Sequence, residues 1–170
     1  MTSTLVLGGA RSGKSRHAQA LVEAVPGAEK LVYIATAQAL DDEMEARIAR
    51  HREDRGPRWS TLEAPTALAE GIERAAREAD AVLVDCLTLW LSNLMLADVA
   101  LQPQFDGLCR AIVHCPKPLV LVANEVGLGI VPDTPLGRRF RDEAGRLNQQ
   151  VAAAVTHAVF VAAGLPLTLK

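Results

Sequence analysis

The sequence predicts an α/β fold, a mainly parallel sheet covered by helices on both faces. Three observations predict it. Apolar runs of strand length alternate with stretches of helical periodicity along the chain. The runs are continuous rather than alternating, as strands buried on both faces are. The first run leads straight into a glycine-rich loop and then a helix. A chain of 170 residues is expected to form one domain over 1–170. That length can bury a core without disulfides or a structural metal.

The elements follow in order. Thr4 to Leu7 is a short apolar strand ending in Gly8-Gly9. Lys14 to Val25 is a helix with Ala18, Leu21, Val22 and Val25 on one face, stopped by Pro26-Gly27. Leu31 to Ile34 is the second strand. Asp41 to Asp54 reads as a charged helix, acidic in its first turn and carrying Arg50 and Arg52 near its end, as the macrodipole prefers. Pro65 opens a helix to Ala79. Ala81 to Val84 is the third strand and ends at Asp85. Helices are expected over Leu87–Ala97 and Gln104–Val113. Leu119 to Val122 is the fourth strand, ending at Asn124-Glu125, and a glycine-rich loop follows. Thr134-Pro135 starts a long helix to about Thr156, with Phe140, Ala144, Leu147, Val151 and Val155 as its apolar stripe. The last strands, Ala158–Val161 and Leu167–Leu169, flank Gly164 and Pro166 and form a C-terminal antiparallel addition.

Composition excludes several classes. Hydrophobic residues make up 49% and charged residues 22%, with a net charge of -2, so a general nucleic-acid binder is not expected. Cys86, Cys109 and Cys115 form no CxxC pair, and with His114 they match no common zinc spacing. A reducing, cytoplasmic setting fits. No segment approaches the length of a membrane span and no signal peptide is visible.

Gly8-Gly9-Ala10-Arg11-Ser12-Gly13-Lys14-Ser15 fits GxxxxGK(S/T) at every fixed position, in the strand–loop–helix context that gives the motif meaning. Its main-chain amides are expected to cradle phosphates, helped by the positive end of the helix. Lys14 should reach the β- and γ-phosphates, and Ser15 should ligate Mg²⁺. The fold expected is therefore a P-loop NTPase domain, three-layer α/β/α and RecA-like. In such sheets ligands bind beyond the carboxyl ends of the strands, where Gly8, Thr36, Asp85 and Glu125 fall. Asp85 is the candidate Mg²⁺ carboxylate, with a helix N-cap as the competing role. Ala35, Thr36 and Ala37 follow the second strand and could touch the nucleotide through their backbone. Glu125 could be a base or a water-mediated Mg²⁺ partner, or could pair with Arg138 or Arg141.

A GTPase switch would carry an NKxD-type base reader, which Asn124-Glu125-Val126-Gly127 does not supply. A P-loop kinase of another small metabolite is the alternative, and it leaves the charged helix with His51 unexplained. Met44, Ile48 and His51 share one helix face, with Arg50, Arg52 and Arg55 nearby. The arginines would attract a triphosphate and lower the histidine pKa, while the helix C-terminus favours the charged imidazole. On spacing alone, His51 also reads as a surface charge.

The phosphate loop, Tyr33-Ile-Ala-Thr36, Asp42-Glu-Met44 with Arg47-Ile48 and His51-Arg52, Asn124 to Pro132, and Phe140-Arg-Asp142 with Gly145 to Asn148 occur in that order. With these motifs the chain resembles the bifunctional adenosylcobinamide kinase/adenosylcobinamide-phosphate guanylyltransferase family over nearly its whole length. The resemblance implies two reactions. ATP or GTP phosphorylates the aminopropanol hydroxyl of adenosylcobinamide. GTP then donates GMP to an enzyme histidine, His51 here, and adenosylcobinamide phosphate takes it to give adenosylcobinamide-GDP. The resemblance further implies catalytic roles for His51, Lys14 and Asp85. It adds nucleotide contacts at Arg52, Glu53, Asp54, Arg55, Glu63 and Asp85, where a carboxylate would read guanine N1–H and N2–H₂. Glu63 could instead only lead into the helix at Pro65. A homo-oligomer, a trimer by resemblance, would help seat the large corrinoid.

Overall fold

The computed structural model describes residues 2–37 and 56–170. Seven strands form one sheet in the order β3-β2-β4-β5-β1-β6-β7. They are β1 (Ser3–Gly8), β2 (Leu31–Ala35), β3 (Trp59–Glu63), β4 (Ala81–Asp85), β5 (Leu119–Asn124), β6 (His157–Ala162) and β7 (Leu165–Thr168). All neighbouring pairs are parallel except β6 with β7. The described helices are α1 (Lys14–Glu23), α2 (Leu68–Glu78), α3 (Leu87–Leu96), α4 (Leu101–His114) and α5 (Pro135–Ala154). The three-layer α/β/α expectation and the antiparallel C-terminal strand both hold.

Two apolar layers sandwich the sheet. On one face Ala18 and Val22 of α1 pack on Val6, Leu83, Val122 and Val161. On the other, α2, α3, α4 and α5 bury the opposite side chains of the same strands, Leu5, Leu7, Ile34, Val84 and Leu121. Successive strand residues thus enter different cores, which is why their apolar runs are continuous. Trp90 and Phe105 meet at 6.1 Å between ring centroids, tilted by 45°, and tie α3 to α4. The stripe expected along α5 is buried at Ala144, Leu147 and Val151, continues into Val155 beyond the helix, and is joined by Phe140.

The element boundaries differ from expectation where side chains capture the backbone. α2 begins at Leu68 rather than Pro65. The Pro65 carbonyl accepts from Asn93 Nδ2 at 2.9 Å and the Thr66 carbonyl from Trp90 Nε1 at 2.7 Å, so neither starts a helical ladder. α4 begins at Leu101 and takes in Pro103. Proline is harmless there because first-turn N–H groups have no intrahelical acceptor. Strand β3 was not expected. Its sequence, Trp-Ser-Thr-Leu-Glu, is half exposed and lacks the apolar run of its neighbours, as an edge strand can. The charged helix expected over Asp41–Asp54 lies outside the described residues.

Candidate active site

The parallel strands end together along one edge, and the register fixes the order of the groups there. Gly8 on β1 lies opposite Asn124 on β5 and Val161 on β6. Asp85 lies opposite Val122 on β5 and Ala35 on β2, and Ala35 opposite Glu63 on β3. Strand spacing near 4.8 Å puts roughly 10 Å between the strands carrying Gly8 and Asp85, and about 19 Å between those carrying Gly8 and Glu63. The first gap leaves room for a metal ion and a phosphate. The second approaches the length of an extended nucleoside triphosphate.

The phosphate loop leaves β1 at Gly8 and enters α1 at Lys14. Gly8 must be glycine, because a Cβ there would collide with the Ser12 hydroxyl and the Val161 carbonyl. Gly13, the N-cap, has φ +94°, and no side chain caps the helix. The first-turn N–H groups are thus presented with the positive end of the helix behind them. Ala10, Arg11 and Ser15 are exposed, and Gly9, Ser12, Gly13 and Lys14 are half-buried. The Lys14 ammonium folds back over the loop, donating to the Gly9 carbonyl at 3.2 Å. The Ser12 hydroxyl oxygen is buried without a hydrogen-bond partner, a cost of about 1–3 kcal/mol that the loop carries. The arrangement is an anion cradle with a movable cation beside it.

Asp85 stands half-buried at the end of β4, just before α3, held by a neighbour the sequence did not mark for that task. The Thr36 hydroxyl donates to the Cys86 carbonyl at 2.7 Å and accepts from the Cys86 N–H at 2.8 Å. Thr36 is 0% exposed. Its carbonyl accepts from Asn93 Nδ2 at 2.8 Å. Through these bonds Thr36 fixes the chain that carries Asp85. Ala35 is likewise buried, and its carbonyl accepts from the Ala64 N–H at 2.9 Å. Only Ala37 of the three is half-exposed. Burial, then the Asp85 charge, pushes the Cys86 thiol up to about 11. Cys86 is a protonated bystander at neutral pH.

Asn93 and Thr88 are functional supports that sequence reasoning missed. Asn93 spans Thr36 and Pro65, and the Thr88 hydroxyl accepts from the Asn124 N–H at 2.7 Å. Polar residues on the buried side of an otherwise apolar helix were the available signal. Glu125 takes neither expected pairing. Its Oε1 accepts from the Gly127 N–H at 2.7 Å. Arg138 donates instead to the Pro132 and Asp133 carbonyls, and Arg141 to Asp142. The Glu125 N–H donates to the Gly8 carbonyl at 3.1 Å, coupling this loop to the phosphate loop. Beyond it Leu128, Ile130 and Val131 are exposed, Ile130 by 98%. His51, Arg52, Glu53, Asp54 and Arg55 lie outside the described residues. Among the described residues no group of three metal-ligating side chains is preassembled. Ser15 lies in the cradle itself, and Asp85 ends a strand two places away in the sheet.

The family model for cobinamide kinase / cobinamide phosphate guanyltransferase matches residues 4–169. The chain belongs to this family. It is 50% identical over 171 residues to the bifunctional adenosylcobalamin biosynthesis protein CobP of Pseudomonas aeruginosa, covering 98% of this chain and 96% of that protein. It is 42% identical over 181 residues to the bifunctional adenosylcobalamin biosynthesis protein CobU of Escherichia coli, covering 98% of each. Among solved structures it is similar to the flagellar accessory protein FlaH from Methanocaldococcus jannaschii, with TM-score 0.52 and 12% identity over 99% of this chain and 78% of that one. That likeness bears on the fold alone, a RecA-like P-loop domain. Membership of the cobinamide kinase/guanyltransferase family makes the chain an enzyme of cobalamin biosynthesis with kinase and nucleotidyltransferase activities.

Proposed function

We propose that this chain phosphorylates adenosylcobinamide with ATP or GTP and then transfers GMP from GTP to the phosphate so formed, with both triphosphates gripped at the Gly8–Ser15 loop. The observation that carries this reading is the uncapped start of α1 at the end of β1, with Gly13 at φ +94° and Lys14 folded over the loop. Lys14 swings from the Gly9 carbonyl to the β- and γ-phosphate oxygens. In the kinase reaction the substrate hydroxyl attacks the γ-phosphorus, and the nucleoside diphosphate leaves.

In the second reaction a neutral imidazole nitrogen of His51 attacks the α-phosphorus of GTP, and pyrophosphate leaves. A phosphate oxygen of adenosylcobinamide phosphate then attacks the same phosphorus and releases the imidazole. Arg52, Glu53, Asp54 and Arg55 flank His51 in sequence and Glu63 ends β3, and these are assigned to the nucleotide. Mg²⁺ fits the residues present, with the Ser15 hydroxyl at the cradle and the Asp85 carboxylate two strands away, both hard oxygen donors. When bound, it neutralises phosphate charge. No described helix is long and apolar enough to cross a membrane. A cytoplasmic homo-oligomer, trimeric by the family resemblance, is part of the same proposal.

Mass spectrometry of the protein after incubation with GTP and Mg²⁺ tests it. The parent should gain one acid-labile guanylyl group, and His51→Ala should gain none. A parent that never takes up GMP defeats the transferase half. Lys14→Ala should lower turnover of adenosylcobinamide by about 10²–10³-fold, as loss of one preorganised charge donor does.

A further inference from the structure

The phosphate loop does not stand alone. Strand β6 runs beside β1, with Val161 opposite Gly8. It turns back into β7 through Ala163 and Gly164, with Ala162 paired to Leu165. Both turn residues have positive φ, 52° and 78°. That is the two-residue hairpin whose twist matches its strands. The tip of this turn touches the loop. The Gly164 N–H donates to the Ser12 carbonyl at 2.8 Å. A Cβ on Gly13 would sit 3.2 Å from the Gly164 Cα, so the two backbones are in direct contact.

Peptide planarity gives this contact a consequence. The Ser12 carbonyl and the Gly13 N–H belong to one rigid plane and point in opposite directions. A carbonyl held toward the hairpin turns the Gly13 N–H away from it, toward the interior of the loop. The Ser12 N–H is meanwhile turned to the Gly9 carbonyl at 3.3 Å. The Gly13 carbonyl accepts from the His17 N–H at 3.0 Å and so belongs to the helix. Of the two peptide planes at the loop's mouth, the Ser12–Gly13 plane is thus the one set from outside.

We propose that the β6–β7 turn is a positioning device for the triphosphate: Gly164, through the Ser12 carbonyl, aims the Gly13 amide at the phosphates. Gly164 is a positioning residue and touches no substrate. The inference rests on the reading of the loop as a triphosphate site and adds a distant part of the chain to it. Gly164 suits the task because its φ of +78° is open to glycine and tolerated by asparagine but strained for other residues. A Cβ added there meets nothing within 4 Å. Gly164→Ala therefore acts through backbone conformation rather than by collision.

The experiment compares the parent with Gly164→Asn, Gly164→Ala and Gly164→Val in direct binding of Mg-GTP, without corrinoid. Thermal midpoints and the KM for adenosylcobinamide are recorded for each. Misdirecting one amide to a charged phosphate should weaken Mg-GTP binding by about tenfold in Gly164→Val. Gly164→Ala should fall between, Gly164→Asn should stay within about threefold of the parent, and the KM for adenosylcobinamide should not move. Gly164→Val that is folded and binds like the parent overturns the proposal. So does Gly164→Asn weakened as much as Gly164→Val, or a loss no larger than the unfolded fraction. If Gly164→Val does not fold, Gly164→Ala against Gly164→Asn decides, and equal affinities overturn it. A parent without affinity for Mg-GTP would instead sink the reading of the loop itself.

Discussion

Replacing Thr36 by valine isolates the clamp that holds the Asp85 segment. Valine has nearly the shape of threonine, so it leaves no cavity in a site that is 0% exposed. What it removes is a hydroxyl that both accepts from the Cys86 N–H, at 2.8 Å, and donates to the Cys86 carbonyl, at 2.7 Å. Cys86 is 6% exposed, so water does not replace the partner of its N–H. The Cys86 carbonyl keeps the Trp90 N–H at 3.2 Å, so only the Cys86 N–H is stranded, which sets the expected loss at about 1–3 kcal/mol. Against a total of about 5–15 kcal/mol this is a large fraction. It corresponds to a fall in unfolding midpoint of roughly 2–12 °C for a chain of this size. Thr36→Ser keeps the hydroxyl and loses one methyl, and should cost only about 1 kcal/mol. Urea unfolding of parent, valine and serine variants, fitted for midpoint and slope, reads both numbers. A valine variant no less stable than the serine variant would refute the reasoning.

Three further outcomes are expected. Ala163 holds φ +52°, a conformation that costs an alanine about 1–2 kcal/mol; Ala163→Asn should raise the thermal midpoint by about 2 °C, and a lower midpoint would contradict the turn assignment. The Asp80 carboxylate accepts from the Glu29 and Lys30 N–H groups at 3.1 and 3.0 Å, and these bonds, ahead of Lys117 and Lys30 charge, hold its pKa below the usual carboxylate value. A depressed carboxylate contributes stability above its unfolded pKa and loses it as pH falls through the folded one; Asp80→Asn should therefore be less stable than the parent at neutral pH, with the gap closing below about pH 4. Cys86, with its thiol near 11, is about one part in a thousand ionised at pH 8; iodoacetamide should label it in the folded protein far more slowly than in urea, as peptide mapping would show.

Much of the scaffold was readable from residue pattern. The phosphate loop has fixed spacing and sits between a strand and a helix, so Gly8 to Ser15 could be placed before any coordinates. Strands β1, β4 and β5 are continuous apolar runs because both faces are covered, and they were found with nearly correct ends. The long helix α5 announced itself through Thr134, whose side chain accepts from the Gly137 N–H, and through its buried stripe. Strand β3 was hidden because an edge strand needs pairing with β2 more than it needs apolar residues. The start of α2 was misplaced because side chains from α3, distant in sequence, take the carbonyls of Pro65 and Thr66.

The order of residues by itself determined the chemistry the chain can offer: a glycine loop closed by Lys14 and Ser15, and acidic side chains at strand ends. Those are local matters, set by spacing along a few residues and by steric limits on the backbone. Only the tertiary structure decided what each polar group does with its bonds. Thr36 bonds the backbone of Cys86, Glu125 accepts from Gly127, and Gly164 donates to Ser12. The physical reason is the separation of the partners. Thr36 and Cys86 stand 50 residues apart, and Ser12 and Gly164 lie near opposite ends of the sequence. A hydrogen bond between groups so distant along the chain exists only once the sheet has aligned β1 with β6 and β2 with β4.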